Sequence, residues 1–418
     1  MNYNMLKHYD IIIVGSGMAG LYSAYHIKKH FPNISFVILE KFKKEWIGGR
    51  TSNETFYGTQ IVTGAGIGRR DTNPLLIQLM NDLHVPFKDF LSVMDYSKLF
   101  SPLDIIDVLK HLKQQYKKHP ELHHKTFKQF FIQLFGEKMY KNFLISSGYT
   151  DFENADLYET IYNYGMDDNT GGWNGLYIPW KKLVDKLYHT IGKEHFKFSC
   201  DVVKINPIEN DKSCLFKIIT KKNEVFYSNK VIVATTISSI QKLIPVKQNL
   251  YQQIHGQPFL RLYGKFNKQS TEIMKKYVPH YTIVPGPLQK IIPMDSNKGV
   301  YMIAYSDNNN ALLLKDHLEN TPQNRKLYCQ LIEQSLGIPD GSLTLIAIKD
   351  FYWPIGTHYY EPLSKKFSSR AHFLDEVQHP EKGMLVVGEA VSTYQGWVEG
   401  ALESVKKVLT KKWILDKC

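Results

Sequence analysis

Three glycines and one acid near the start of the chain have the types and spacing of a dinucleotide-binding site. Gly15, Gly17 and Gly20 form a G-x-G-x-x-G pattern, and Glu40 follows about 20 residues further on. The first glycine permits a tight turn, the second lets a pyrophosphate approach the backbone, and the third lets a helix pack closely on a strand. The carboxylate suits a ribose diol and repels a 2′-phosphate. We predict nucleotide binding here; the alternative is that the glycines serve only a turn.

These residues need a strand, a helix and a second strand to bring them together. Residues 11–14 are an uninterrupted apolar run, which is typical of a parallel strand buried on both faces. Residues 21–30 have helical character and stop before Pro32, and a second apolar strand at 34–39 ends on Glu40. The pattern predicts a βαβ unit with phosphates at the helix N-terminus, where free N–H groups and the helix dipole favour anions.

Two further glycine-rich stretches follow this unit. Residues 47–51, Ile-Gly-Gly-Arg-Thr, suit a loop pressed against a diphosphate, with the Arg50 guanidinium as a bidentate partner. Residues 61–68 are mostly small, which lets the backbone approach a flat ring system; the alternative is a simple glycine-rich turn. Residues 71–74 are expected to cap a helix at 75–83.

The end of the chain repeats the combination of strand, acid and helix. Residues 383–390 run from an apolar strand into Gly388 and Glu389, and a helix with small residues in its first turn begins near residue 397. Glu399 lies in that first turn, where the helix dipole favours an acid.

Composition favours a globular chain of two domains. The 418 residues are 43% hydrophobic and carry a net charge of +12. Paired lysines are spread along the whole chain, so we expect a solvated basic surface rather than a nucleic-acid site. No export signal and no apolar run long enough for a membrane span are apparent, which predicts an intracellular, cytoplasmic protein. We expect reduced thiols and no metal site, because the cysteines are scattered: Cys200, Cys214, Cys329 and Cys418.

Two segments differ in pattern from the rest of the chain. Residues 86–169 are rich in aromatic residues at helical spacing, which predicts a mainly helical insertion whose aromatic stripes pack in a core. Residues 242–348 form a second insertion, with strand signals at 260–266, 289–293 and 300–305. The aromatic run ending at Pro354 is expected to break this insertion.

Four stretches, in order, resemble the flavin-containing amine oxidase family of monoamine, polyamine and L-amino-acid oxidases. They are VGSGMAGLYSAYHI, then LEK with IGGRT, then VTGAGIG followed by NPLLIQLMNDL, and finally VVGEAVSTYQGWVEGALES. The resemblance implies an α/β fold with a Rossmann-like, doubly wound FAD-binding domain and an α+β substrate domain. The FAD-binding domain would be assembled from residues 1–79, 176–244 and 352–418, and the substrate domain from 80–175 and 245–351.

The same resemblance assigns cofactor contacts. The pyrophosphate would lie on the glycine-rich turn and on the loop after it, the adenosine ribose at Glu40, and the adenine at the backbone of Val202. Glu389 would contact the ribityl-phosphate side, and the Val398 N–H the flavin pyrimidine. The residues in contact with the pyrophosphate would be Gly15, Ser16, Gly17, Ala19, Gly20, Gly49 and Arg50. The residues that border the isoalloxazine would be Gly64, Ala65, Gly66 and Ile67. The stretch at 353–359 has no cysteine to link the flavin, so the FAD is expected to be non-covalent.

Catalytic residues also follow from the resemblance. Trp397 resembles one member of an aromatic pair that faces the flavin, and His358 or Tyr359 would be the other member. A lysine beside flavin N5 in many members corresponds here to Arg261, or to Lys265 if the alignment is shifted. Both lie on one face of an alternating strand, so periodicity leaves the choice open. Arginine stays protonated and would act as a fixed charge that holds a water, not as a base.

The function implied is an FAD-dependent oxidase that converts the C–N bond of a small amine into an imine, with oxygen as acceptor and hydrogen peroxide as product. An amino-acid oxidase or flavin desaturase on the same scaffold is an alternative, with Arg69 and Arg70 as candidates for binding a carboxylate. A non-catalytic FAD-binding protein is a third possibility. The sequence leaves the oligomeric state open.

Overall fold

The computed structural model describes residues 8–166, 170–208 and 215–416. The strands are β1 His8–Val14, β2 Phe36–Leu39, β3 Asn53–Phe56, β4 Thr59–Val62, β5 Gly68–Arg69, β6 Lys88–Leu91, β7 Met94–Tyr96, β8 Asn174–Tyr177, β9 Phe196–Lys197, β10 Val202–Pro207, β11 Phe216–Thr220, β12 Val225–Val233, β13 Ile254–Phe266, β14 Tyr281–Ile283, β15 Lys290–Asp295, β16 Val300–Asp307, β17 Leu345–Tyr360 and β18 Met384–Val386.

The helices connect and cover these strands. They are α1 Met18–His30, α2 Pro74–Asp82, α3 Ile105–Lys118, α4 Phe127–Ser147, α5 Leu157–Tyr162, α6 Trp180–Ile191, α7 Ile237–Leu243, α8 Gln248–Tyr251, α9 Lys268–Tyr277, α10 Asn308–Leu314, α11 Pro322–Leu336, α12 Arg370–Gln378, α13 Val398–Val408 and α14 Lys411–Leu415.

The first sheet has seven strands in the order β10-β11-β12-β1-β2-β9, with β18 also paired to β12. β1 pairs in parallel with both β2 and β12. Along β1, Ile11 and Ile13 pack on the face that carries α1, α6 and α13, whereas Ile12 and Val14 pack on the opposite face. Burial on both faces explains the uninterrupted apolar run. The predicted βαβ unit and the α/β fold class are confirmed.

The second sheet has six strands in the order β17-β13-β16-β15-β14-β7. Its apolar face packs against α9, α10 and α11. The expectation that Pro354 breaks this region is wrong, because β17 continues through it and pairs with β13 on both sides. The register shifts between the pairs Gln257–Thr357 and Phe259–Trp353. Pro354 lies in this bulge, where its missing N–H costs no ladder hydrogen bond.

The aromatic segment after β7 forms a separate helical core. α3, α4 and α5 start at residues whose side chains cap the helix, respectively Asp104, Thr126 and Asp156. The phenylalanines of α4 and the following turn are buried against one another, for example Phe127 on Phe152 with ring centroids 5.1 Å apart. The aromatic stripes are therefore core packing, as the spacing predicts.

Two of the four predicted domain boundaries fall within strands. The boundary at 175/176 lies inside β8, and the boundary at 351/352 lies inside β17. The two-domain division stays a prediction. Cys200 and Cys329 are buried, and the other two cysteines, Cys214 and Cys418, lie outside the described residues. Within the described parts of the chain, no helix combines the length and apolar character needed to cross a bilayer.

Candidate functional site

The glycine-rich turn between β1 and α1 is closed at two glycines and open at the third. A Cβ on Gly15 would lie 2.5 Å from the carbonyl oxygen of Ala234, and a Cβ on Gly20 would lie 2.0 Å from that of Gly15. A Cβ on Gly17 would meet nothing within 4 Å. Gly17 is also the N-cap of α1, which has no side-chain cap and no acid in its first turn. The open space therefore lies at a helix N-terminus whose N–H groups suit an anion.

The loop that contains Gly49 docks on this turn. The N–H of Gly48 donates to the carbonyl of Ser16 at 2.9 Å, and a Cβ on Gly49 would lie 3.8 Å from the Cα of Gly17. Ala19 is buried on the helix just behind the turn. The two motifs that sequence spacing linked to a pyrophosphate thus lie side by side.

Glu40 holds the turn in place. One carboxylate oxygen, Oε2, accepts hydrogen bonds from the Ser16 N–H at 2.8 Å and from Ser16 Oγ at 2.7 Å, and Oε1 accepts the Phe42 N–H at 2.9 Å. The carboxylate is buried at the end of β2. The backbone that leads to Val202 lies beside it, because the Cys200 N–H donates to the Glu40 carbonyl at 2.8 Å. Glu40 therefore fixes the phosphate turn in addition to its predicted contact with a ribose.

The loop of Gly64, Ala65 and Gly66 is held by side chains that bind its carbonyl groups. The indole of Trp353 donates to the Thr63 carbonyl at 2.7 Å, and the indole of Trp180 donates to the Gly66 carbonyl at 2.7 Å. Arg261 Nε donates to the Gly64 carbonyl between them. A Cβ on Gly64 would lie 2.3 Å from the Arg50 carbonyl oxygen. The loop is thus a rigid glycine surface, and Ile67 at its end is exposed.

Glu389, His358 and Arg50 form a hydrogen-bonded cluster in which Glu389 and His358 are buried. Glu389 Oε1 accepts from His358 Nδ1 at 2.6 Å and from Arg50 Nη1 at 3.0 Å, and Oε2 accepts the Gly396 N–H at 3.1 Å. Burial by itself raises the pKa of Glu389, but His358, Arg50 and the Gly396 amide outweigh burial and hold this pKa at about 2. Arg50 also donates to the Gly356 carbonyl at 2.5 Å.

His358 and Tyr359 point to opposite faces of β17. His358 Nε2 accepts the Ile237 N–H at 3.2 Å and Nδ1 donates to Glu389, so both ring nitrogens are engaged within the protein. Tyr359 stacks on His255, with ring centroids 5.2 Å apart. These contacts leave His358 as a structural residue rather than a free member of an aromatic pair.

The aromatic partner that the structure gives Trp397 is Trp180, which sequence reasoning missed. Their rings meet edge to face with centroids 6.0 Å apart. Trp397 Nε1 also donates to Asn73 Oδ1 at 2.9 Å. Because Trp180 holds the Gly66 carbonyl, Trp397 belongs to the wall around the glycine loop. Val398, the next residue, is the first of α13.

Arg261 and Lys265 occupy different places on β13. Arg261 is 4% exposed, and a Cβ on Gly66 would lie 3.2 Å from its Nη2. Lys265 Nζ instead donates to the carbonyls of Phe266 and Lys298. Four residues along a strand span about 13 Å, which separates the two side chains although they share a face. The residue beside the glycine loop is Arg261.

Comparisons with known proteins match this geometry. The NAD(P)-binding Rossmann-like domain family matches residues 13–83. An uncharacterized protein of Acanthamoeba polyphaga mimivirus is 20% identical over 98% of this chain and 95% of its own length. A double mutant of putrescine oxidase with redesigned cofactor binding superposes with a TM-score of 0.74 at 13% identity, over 96% of this chain and 98% of that one. Wild-type putrescine oxidase bound to putrescine gives 0.73 at 14%, with the same coverage. The chain has the putrescine oxidase fold.

The resemblance to flavin-containing amine oxidases is thus confirmed at the level of fold. Within the putrescine oxidase fold, the first turn of α13 lies against the start of α2. The carboxylate of Glu399 accepts the N–H groups of Leu75 at 2.8 Å and Leu76 at 3.0 Å. Asn73, in the stretch predicted to cap α2, makes no side-chain cap and instead accepts from Trp397. Glu399 caps a distant helix rather than its own.

The two arginines proposed to bind a substrate carboxylate, Arg69 and Arg70, lie in different surroundings. Arg70 is on the surface and binds both carboxylate oxygens of Asp89. Arg69 is partly buried and lies over the ring of Trp173 at 5.0 Å. Sequence reasoning missed a third cation, Lys290, which is fully buried at the start of β15. The available signal was a lysine in the predicted strand at 289–293.

Proposed function

We propose that the chain is an FAD-dependent oxidase that acts on the C–N bond of a small amine. The amine carbon is oxidised to an imine, water hydrolyses the imine to a carbonyl compound and ammonia, and oxygen is reduced to hydrogen peroxide. The observation that carries the proposal is the continuity of the site. The glycine turn is open at Gly17, the glycine loop at 64–66 is held by hydrogen bonds to its carbonyl groups, and a buried arginine, Arg261, lies against that loop.

The residues present fit a flavin dinucleotide. The α1 N-terminus would hold the pyrophosphate, Glu40 the ribose, and the flat glycine surface the ring system. FAD supplies the hydride acceptor when bound, and the protein contributes binding, orientation and exclusion of water. Since no cysteine lies in 353–359, we propose non-covalent binding.

The chain's own residues have defined tasks in this scheme. Trp353, Arg261 and Trp180 fix the loop carbonyls, so the loop is preorganised. Arg261 supplies a permanent positive charge beside the loop in a buried, low-dielectric setting, where it stabilises developing negative charge. Trp397 and Trp180 exclude water from the same side.

The test is flavin binding followed by an amine panel. We expect purified protein to bind roughly one FAD per chain and to release it on acid precipitation. Anaerobic addition of substrate should bleach the flavin, and air should restore it with release of peroxide. Flavin that binds but is bleached by no amine or amino acid would leave only a binding role and contradict the proposal. Bleaching without reoxidation by air would show that oxygen is not the acceptor.

A further inference from the structure

Lys290 carries a buried amine that has no hydrogen-bond partner among the described residues. Its side chain is 0% exposed, and Nζ is without a donor or acceptor contact. Nζ faces aromatic rings instead, 2.8 Å from the ring centroid of Tyr149 and 4.2 Å from that of Tyr305. Gly148 makes room for the lysine, since a Cβ there would lie 2.9 Å from Lys290 Cε.

A buried ammonium without a counter-ion is costly, and proteins normally pair such a group. Burial lowers the pKa of Lys290 well below its ordinary value. The nearest acids, Asp307 and Asp151, act to raise this pKa, but neither hydrogen-bonds Nζ and both accept hydrogen bonds from neutral groups. Asp307 Oδ1 accepts from the Thr150 N–H at 3.0 Å, Thr150 Oγ1 at 2.5 Å and Gln289 Nε2 at 3.0 Å. Asp151 accepts from the Tyr164 hydroxyl, and burial raises the pKa of Asp151 to about 7.

Lys290 is a close neighbour of the proposed reaction site. The Arg261 guanidinium carbon and Lys290 Nζ each lie 4.2 Å from the ring centroid of Tyr305. Arg261 in turn lies against the Gly64–Gly66 loop. The ring of Tyr305 therefore links Lys290 to the arginine that lies against the loop.

Charged groups of both signs surround this position. Arg261 and Arg69 act electrostatically to lower the pKa of Lys290, whereas Asp307 and Asp151 act to raise it. None of these four side chains makes a hydrogen bond to Lys290 Nζ. Basic side chains near the loop favour an anionic substituent on a substrate over a second ammonium group.

We propose that Lys290 binds the carboxylate of the substrate, so that the oxidised amine is an amino acid rather than a diamine. The inference rests on the proposed oxidase function. The substrate's carboxylate would supply the hydrogen-bonded counter-ion that Nζ lacks among the described residues. The aromatic faces of Tyr149 and Tyr305 would keep water from the ion pair and so strengthen it.

The first experiment uses the FAD-loaded parent protein and compounds that differ only in a carboxylate. The pairs are phenylalanine with 2-phenylethylamine, and ornithine with putrescine. We expect kcat/KM for flavin reduction to be at least tenfold higher for the amino acid of a pair. Equal or higher rates with the decarboxylated amines would overturn the inference and leave amine oxidation intact.

The second experiment measures binding without turnover. Calorimetric titration of the FAD-loaded protein with 3-phenylpropanoate, which has the carboxylate but no amine, should show binding that Lys290→Met weakens at least tenfold and Lys290→Arg largely retains. This readout separates the two proposals, because it can succeed even if no amine bleaches the flavin. Absence of 3-phenylpropanoate binding by the parent protein would overturn the role of Lys290.

The variants also distinguish a carboxylate contact from a general effect on the site. Lys290→Met should lower kcat/KM for phenylalanine at least tenfold and leave 2-phenylethylamine unchanged or improved. An equal loss for both compounds would show that Lys290 does not read the carboxylate. Should Lys290→Met fail to fold, the parent's preference within each pair and the Lys290→Arg titration decide the question.

Discussion

The phosphate turn and the tyrosine–lysine cluster around Lys290 are built on opposite plans. At the turn, the closest contacts are made by backbone carbonyl groups, the Glu40 carboxylate accepts from Ser16, and the open place is the position of a missing Cβ at Gly17. At the cluster, the contacts are made by side chains from distant segments, and one charge is left without a partner. We therefore expect shape to select the ligand at the turn, and an amine without a hydrogen-bond partner to select it at the cluster.

The largest expected effect tests the shape of the turn. Gly20→Ala places a Cβ against the Gly15 carbonyl and should destabilise the fold by about 3 kcal/mol, with loss of FAD. Gly17→Ala meets no protein atom, so it should cost no more than about 1 kcal/mol as a poorer N-cap, yet still weaken FAD at least tenfold. Thermal melts of both variants without FAD measure the loss of stability, and FAD titrations measure the loss of affinity. Equal melting points for the two variants would remove the distinction between closed and open glycines.

The next effect concerns Arg261, which lies between the Gly64–Gly66 loop and Tyr305 of the cluster around Lys290. Arg261→Met should slow flavin reduction by about tenfold or more while FAD stays bound, because a fixed charge beside the glycine loop is lost. Arg261→Lys should restore part of the rate. Lys265→Met is the matched control on the same strand, and we expect parental stopped-flow kinetics from it. A slow Lys265→Met with a normal Arg261→Met would reverse the assignment.

A pH-dependent effect on stability tests the buried acid Glu389. The pKa of Glu389 is held at about 2, below its ordinary value of 4.5, so the ionised form stabilises the fold above pH 4.5 and that contribution is lost as the pH falls towards 2. Glu389→Gln should therefore cost about 3 kcal/mol at pH 7 and progressively less between pH 4.5 and 2. Urea unfolding across this range checks the prediction. A difference that does not change with pH would point to packing rather than charge.

The smallest effect is expected at the surface. Arg70 binds Asp89 in the open, so Arg70→Ala should leave the KM for every amino acid tested at the parental value. Steady-state kinetics with phenylalanine is the measurement. A raised KM would return Arg70 to the carboxylate site and weaken the case for Lys290.

Much of the region around the glycine turn could be predicted from the sequence, because the residues that form it are close together in the chain. A tight turn, a helix N-terminus and an apolar strand each depend on residues within a few positions of one another, so spacing alone predicts them. The βαβ unit, the glycine turn and the neighbouring loop at 47–51 occur where the sequence indicates.

The tertiary structure decided everything that depends on pairing between distant segments. Only the fold shows that Glu399 caps α2, that His358 is engaged by Glu389, and that Trp180 is the partner of Trp397. Periodicity could not separate Arg261 from Lys265, because both lie on one face of β13 and only the position of the glycine loop along that strand distinguishes them. Lys290 is the clearest case. A lysine in a predicted strand has no special meaning until the packed chain shows that its amine is buried and that no described residue around it supplies an acceptor.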